Sequence, residues 1–236
     1  MNWKKIYKYP TSNRTTINGS RYYEINNEKL PSVTEILKAT ESEDKKKSLL
    51  QWRQRVGDFE AEKIIKTSST RGTLMHKYIE DYLIGQTKLD IFDNSEATVM
   101  AKKIINEGLV NLDVLWGAEA TLAYPNLFAG TADACGVFNG KETILDFKQS
   151  NKPKKREWIN DYFLQVAAYA LAHDKAYTTN ITQGVILMCT PPPRVFYQEF
   201  IISGPEFKDY QNQFMKKVGQ YNLKKNTSNH GKRLLK

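Results

Sequence analysis

The segment from residue 130 to residue 150, GTADACGVFNGKETILDFKQS, constrains the fold more than any other part of the chain. An Asn-Gly pair between two strand-like runs is the strongest local signal for a two-residue type I′ turn. If Asn139 and Gly140 form that turn, Phe138 pairs with Lys141, and each further pair keeps the same sum of residue numbers. The sequence therefore predicts a β-hairpin whose register can be counted outward from its turn.

That register places Asp133 opposite Asp146, with Lys148 two residues further along the same face and opposite Thr131. Side chains that face each other in this way have Cβ atoms about 4.5 to 5.5 Å apart, so two like charges destabilise the pair. One lysine does not fully offset two carboxylates, whereas Mg²⁺ is typically held by one or two carboxylates together with waters and phosphates. We therefore interpret the cluster as a metal site in which Lys148 orients or deprotonates a water or stabilises a phosphate. A register slip of one residue would separate the two acids.

The patterns on either side of this hairpin predict an α/β fold with a mixed central sheet flanked by helices and an N-terminal helical extension. Ser32, with Glu35 three residues later, forms the pattern of a capping box at the start of a helix. The expected elements are a short hairpin in the first thirty residues, helices before residue 112, a strand before the hairpin, a helix at about 157–173, strands near 182–189 and 194–202, and a last helix at about 205–222.

The charge balance favours a polyanionic partner. The chain of 236 residues has a net charge of +9, which is typical of nucleic-acid binding, although solubility alone also accounts for it. Residues 148–156, KQSNKPKKR, are cationic without an acid. No stretch is long and apolar enough to span a membrane, and the N-terminus lacks the apolar core of a secretory signal. Two cysteines without a metal motif suit a reducing compartment, so we expect a cytoplasmic protein.

Several polar residues outside the hairpin are candidates for the same site. His76 and Glu80 share a helical face, as do Gln165 and Tyr169, and Glu119 lies on the strand before the hairpin. Each has an ordinary structural alternative: a packed or surface histidine, an exposed polar helix edge, or a solvent-facing strand residue.

Taken together, GTAD, ILDFKQS and QVAAY resemble the PD-(D/E)XK nuclease superfamily, and in particular its RecB-like exonuclease branch. The motifs of that branch are G-x-x-x-H-x-x-x-E, D, D-x-K and Q-x-x-x-Y, and the matching residues here are, in order, Gly72, His76 and Glu80; Asp133; Asp146 and Lys148; and Gln165 and Tyr169. PSVTEIL and WRQRVG, ahead of RGTLMH, also resemble the mitochondrial genome maintenance exonucleases and related phage and bacterial proteins. Ala132 replaces the proline of the superfamily's name, and the cysteine quartet of its iron–sulfur members is absent.

The resemblance implies Mg²⁺-dependent hydrolysis of DNA by an exonuclease that prefers single-stranded ends, with Mn²⁺ as an alternative ion. It implies metal ligation by Asp133, Asp146 and the Phe147 carbonyl, with His76 and Glu119 as further ligands. Lys148, Gln165 and Tyr169 complete the catalytic set. We also expect these residues to contact DNA: Trp52, Arg53, Arg55, Arg71, Ser150, Lys152, Lys154, Lys155 and Arg156.

We expect residues 1–70 to be an N-terminal region that contributes to the DNA path, 71–222 to be the nuclease core, and 223–236 to be a flexible basic tail. Replication or recombination proteins are possible partners, and a bacterial or phage-infected cell is the expected setting. Two alternatives stay open: an endonuclease of the same fold, for restriction or junction resolution, and a nucleic-acid-binding module without activity.

Overall fold

The computed structural model describes residues 2–86 and 93–233, with side chains up to residue 227. The N-terminal half contains β1 (Asn2–Trp3), β2 (Asn13–Ile17), β3 (Ser20–Ile25), β4 (Glu28–Pro31), α1 (Val33–Ala39), α2 (Glu43–Val56), α3 (Asp58–Leu83) and α4 (Glu96–Glu107). The C-terminal half contains β5 (Leu112–Tyr124), β6 (Phe128–Phe138), β7 (Lys141–Gln149), α5 (Asn160–Tyr177), β8 (Gln183–Cys189), β9 (Tyr197–Ser203) and α6 (Gly204–Arg233). None of the described helices is both long and apolar enough to cross a lipid bilayer.

The main sheet is mixed and has the strand order β1-β5-β6-β7-β8-β9. The pairs β1–β5 and β7–β8 are parallel, and the other neighbouring strands are antiparallel. Side chains of the central strands alternate between two cores: Ile144 packs with α5 and α6 on one face, and Leu145 packs with α3 and α4 on the other. This burial on both faces explains why the neighbouring residues Ile144 and Leu145 are both apolar. The predicted α/β class, a mixed sheet flanked by helices, is confirmed.

A second, smaller sheet of order β2-β3-β4 takes the place of the N-terminal hairpin that the sequence predicted. Tyr23, Ile25 and Leu30 pack one of its faces against Ala129 of β6, and this burial stabilises the third strand. Because of this packing, the small sheet lies beside the acid-bearing part of β6.

The predicted helix cap at Ser32 is confirmed, since its side chain accepts a hydrogen bond of 3.0 Å from the Glu35 backbone N–H. The second half of the capping box is different. The Glu35 carboxylate accepts a hydrogen bond from the Ser20 hydroxyl at 2.8 Å, and so it links α1 to the small sheet.

Two predicted boundaries fall inside helices. Gly72 lies within α3, so the boundary expected at residues 70/71 falls inside a continuous helix. The absence of a Cβ there lets Gln149 approach closely, because an added Cβ would lie 3.3 Å from Gln149 Cγ. The tail expected to be flexible from residue 223 is helical to Arg233, and Lys224 bonds to the carbonyl of Ala39 in α1 at 2.8 Å. Residues 234–236 of that tail lie outside the described residues.

The hairpin turn agrees with the sequence prediction. Asn139 and Gly140 have φ values of 49° and 72°, as a type I′ turn requires. Phe138 pairs with Lys141, and the register continues to Ala134 and Leu145.

Replacing Gly140 with Ala should destabilise the fold by about 1–2 kcal/mol, because an L-residue pays this cost in the left-handed region. Gly219 is the matched control, since it lies at an exposed position of α6 with nothing near its missing Cβ. Gly219→Ala should stabilise by roughly 0.5–1 kcal/mol. Urea unfolding measures both changes, and equal effects of the two substitutions would contradict the turn assignment.

Candidate active site

The two acids of the hairpin lie where β6 and β7 stop pairing. Asp133 and Asp146 come one residue beyond the last paired residues of their strands, and both are buried, with 9% and 1% of their surface exposed. The backbone N–H of Phe147 donates a hydrogen bond of 2.6 Å to Asp133 Oδ2. At the point where the strands separate, the Asp133 carboxylate therefore accepts the hydrogen bond of the Phe147 N–H in place of a backbone carbonyl. This bond holds Asp133 against β7.

Lys148 forms an ion pair with the Asp146 carboxylate, and its ammonium lies 5.1 Å from the centre of the Tyr162 ring. Burial lowers the pKa of Lys148, but Asp146 and Asp133 outweigh burial, so its pKa is raised above the ordinary value. The lysine is therefore charged at neutral pH. Of the two roles considered for it, orienting a water or phosphate is favoured over removing a proton.

His76 extends from α3 towards the acids, with Nδ1 3.4 Å from Asp133 Oδ1. Burial lowers the pKa of His76, but the negative charge of Asp133 outweighs burial and raises it. The same attraction, helped by Lys148 and the Phe147 N–H, lowers the pKa of Asp133 despite the opposing effect of its burial.

Glu119 completes the cluster from β5. Ala118 pairs with Ala134 and Ala120 with Ala132, so Glu119 lies opposite Asp133. Its φ of 47° is unusual for a residue within a strand and costs about 1–3 kcal/mol, which makes it a candidate functional position. Glu119 keeps contact with solvent, but partial desolvation of its carboxyl group and the charge of Asp133 raise its pKa to about 7.

The donor set fits a divalent cation. His76, Glu119 and Asp133 each offer a ligand atom, and these atoms lie within 4.8 Å of one another. The pKa of Asp146 is raised, mainly by burial and also by the negative charge of the neighbouring Asp133. A cation would relieve both effects. Carboxylate oxygens suit Mg²⁺ and Mn²⁺, and an imidazole nitrogen widens the choice towards transition metals.

Gln165 and Tyr169 line the same cleft from α5. The Gln165 amide donates a hydrogen bond of 3.0 Å to the Tyr169 hydroxyl, which gives the partly buried amide its partner. Tyr169 packs directly on Gly130, where an added Cβ would lie 2.5 Å from Tyr169 Cε1. The structure therefore brings together the candidate residues from four separate motifs.

Part of the expected DNA-binding set borders a second groove, of about 570 Å³, between α2 and the end of β7. Its lining includes Trp52, Arg55, Ser150, Lys152 and Lys154. The Ser150 hydroxyl bonds to the carbonyl of Lys152 at 2.7 Å, so it shapes the loop. The other four side chains give the groove a basic and partly aromatic wall.

Three of the arginines expected to contact DNA have intramolecular partners. Their acceptors are nearby carboxylates, amides and carbonyls: Asp58 and Glu62 for Arg53; Glu96, Gln149 and Asn151 for Arg71; and Glu206 and the Ile201 carbonyl for Arg156. Lys155 lies over the Trp158 ring at 5.4 Å. The sequence does not reveal these partners, because most of them are distant in the chain.

The small sheet contributes cleft residues that sequence reasoning missed. Arg14, Arg21 and Tyr23 line the cleft together with Lys77 of α3. The only sequence signal was the alternation in RYYEI, which indicates a strand but does not show which face of that strand lies towards the cleft.

Arg71→Leu should lower the stability of the metal-free protein by about 1–3 kcal/mol, because it leaves charged and polar partners unpaired. The Arg71 side chain is only 10% exposed and is 2.7 Å from Glu96. The matched variant Glu96→Gln keeps the bonds between Arg71 and Gln149, so it should cost less. Thermal unfolding measures the order, and a larger loss in Glu96→Gln would contradict it.

Glu119→Gln should become more stabilising, relative to the parent chain, as the pH rises from 4.5 to about 7 in EDTA. The folded-state pKa of about 7 exceeds the ordinary 4.5. Over this window the folded state binds more protons than the unfolded state, so the parent chain loses stability that the Gln variant keeps. Melting temperatures measured across the window test this sign. A stability difference that stays constant or falls with pH would contradict it.

Comparison with known proteins identifies relatives by sequence, although no protein-family model matches the chain. The chain is 25% identical to human mitochondrial genome maintenance exonuclease 1 over 216 residues, or 85% of its length, and 26% identical to the mouse protein over 190 residues, or 76%. It spans 60% of the human protein and 53% of the mouse protein. A crystal structure of a candidate exonuclease from Eubacterium rectale superposes on 63% of both chains, with 14% identity and a TM-score of 0.45. The chain is therefore similar in sequence to proteins named as exonucleases, which agrees with the resemblance of its motifs.

Proposed function

We propose that the chain is a metal-dependent DNA exonuclease of the PD-(D/E)XK type and RecB-like branch. The observation that carries this proposal is the convergence of two buried carboxylates and a charged lysine, Asp133, Asp146 and Lys148, beside His76 and Glu119. The exonuclease names of the relatives support the reaction class.

The proposed ligands are Asp133, Asp146 and the Phe147 carbonyl, with His76 and Glu119 completing the set. Mg²⁺ or Mn²⁺ bound there would polarise the scissile phosphate and lower the pKa of a bound water. Asp133 is held in place for this role by the Phe147 N–H.

Lys148 remains charged and donates hydrogen bonds to the attacking water or to the phosphate oxygens, where negative charge builds up. The Lys148 ammonium lies between the Asp146 carboxylate on one side and the Tyr162 ring on the other, and these two contacts restrict its position. Gln165 and Tyr169 line the cleft and would contact the Lys148 region or the DNA backbone.

The proposed preference for single-stranded ends rests on the second groove. Trp52 offers an aromatic surface on which a base can stack, while Arg55, Lys152 and Lys154 face the backbone. Base stacking and a basic wall are the usual features of single-strand binding.

For the cellular role, we propose DNA replication, recombination, repair or degradation in the cytoplasm of a bacterial or phage-infected cell, alongside replication or recombination proteins. Cys135 and Cys189 are buried and free, which supports a reducing compartment.

End-labelled single- and double-stranded DNA, incubated with Mg²⁺ or with EDTA, tests the proposal. We expect Mg²⁺-dependent release of labelled nucleotides, faster from single strands, and a loss of about 100-fold or more in Asp146→Asn and Lys148→Ala. Lys141→Ala is the matched control, because Lys141 begins the same strand at an exposed position. It should retain activity.

Undiminished activity in Asp146→Asn and Lys148→Ala would overturn the assignment of the site. Cleavage of closed circular single strands would favour an endonuclease. DNA binding without Mg²⁺-dependent degradation would favour a binding module.

A further inference from the structure

Two arginines of the small sheet, Arg14 and Arg21, line the cleft. Arg14 pairs with Tyr23 across β2 and β3, and Thr16 pairs with Arg21. Arg14 and Arg21 therefore project from the same face as diagonal neighbours, about 7–8 Å apart. Within residues 2–86 and 93–233, neither guanidinium has a hydrogen bond or ion pair, in contrast to Arg53, Arg71 and Arg156.

Tyr23 fixes the direction of this face. It is 4% exposed, and its hydroxyl lies 3.2 Å from Thr131 Oγ1 on β6. Thr131 is two residues before Asp133, so the two side chains share one face of β6. A hydrogen bond between the two sheets therefore directs the arginine-bearing face towards the acid cluster.

The arginines and the acids line one cleft of about 460 Å³. One wall carries Arg14 and Arg21, while Glu119, Asp133 and His76 lie on the other side. A polyanionic strand that approached the acids alone would be repelled, and the cationic wall offsets that repulsion. Guanidinium groups offer forked donors that match the oxygens of a phosphate.

We propose that Arg14 and Arg21 form a phosphate-binding subsite that holds the DNA strand at the phosphate next to the scissile one. The inference rests on the proposed nuclease function, but it assigns a separate role to the small sheet. This sheet binds the substrate, whereas the acids and Lys148 act on the bond that breaks. Substitution of either arginine should therefore weaken DNA binding and raise KM, with kcat largely unchanged.

The opposite face of the same small sheet provides a matched control. Lys29 pairs with Glu24, so it projects away from Arg21 and Tyr23, and its ammonium lies 5.3 Å above the Tyr22 ring. Lys29→Gln removes the same unit of charge from the same sheet, and it therefore controls for net charge and for folding.

Binding of fluorescein-labelled oligothymidylate to the full chain in EDTA, followed by fluorescence anisotropy over a series of KCl concentrations, tests the subsite. Each of Arg14→Gln and Arg21→Gln should weaken binding by about 3- to 10-fold and reduce the slope of log K against log[salt] by about 0.7, as expected for one lost contact with a single-strand phosphate. Arg14→Lys and Arg21→Lys should restore the slope, and Lys29→Gln should bind like the parent chain.

The inference would be overturned if both arginine variants kept the parent affinity and salt slope, or if Lys29→Gln lost as much as they do. Melting temperatures of the variants that stay close to that of the parent chain would show that these substitutions of exposed side chains leave the fold intact. Failure of the nuclease proposal has a different signature: arginine-dependent binding in EDTA together with no cleavage in Mg²⁺ overturns the proposed reaction and supports the phosphate subsite.

Discussion

The main constraint on the site is the burial of two carboxylates, Asp133 and Asp146, at the point where two antiparallel strands separate. Charges removed from water cost several kcal/mol each unless they have close partners. His76 and Lys148 supply those partners, and the Phe147 N–H supplies a further bond. The partners do not remove the penalty completely, since the pKa of Asp146 stays raised by burial and by its acidic neighbour. An additional divalent cation would complete the neutralisation, and the apolar cores on both faces of the sheet hold the site in place for it.

Each structural element around the acids limits their freedom in a different way. Helix α3 brings His76 to the site, and one and a half turns earlier the same helix is joined to the end of β7 through Arg71 and Gln149. Strand β5 holds Glu119 opposite Asp133 in a strained backbone conformation. The small sheet is fastened to β6 through Tyr23 and forms the remaining wall. Arg14 and Arg21 lie on the small sheet, whereas Glu119, Asp133 and Asp146 lie on strands of the main sheet, so the arginines can be substituted without changing those acids.

Local chemistry explains which features could be predicted from the sequence. The Asn139-Gly140 turn has backbone demands that few other dipeptides meet, and counting from it gave the correct register as far as Ala134 and Leu145, one residue before the acids. Long-range partners could not be read in this way. Arg156 is neutralised by Glu206, 50 residues further along the chain. Helix α3 continues through Gly72, where the absence of a Cβ leaves room for Gln149. Arg14 and Arg21 were missed because a strand pattern shows that side chains alternate between two faces, but it does not show which face lines the cleft.

A crystal grown with Mn²⁺, with anomalous scattering recorded at the manganese edge, tests the central claim most directly. We expect an anomalous peak bounded by Asp133, Asp146 and the Phe147 carbonyl, with His76 or Glu119 completing the coordination. A fully occupied Mn²⁺ elsewhere on the chain, with the acids still paired only to His76 and Lys148, would contradict it.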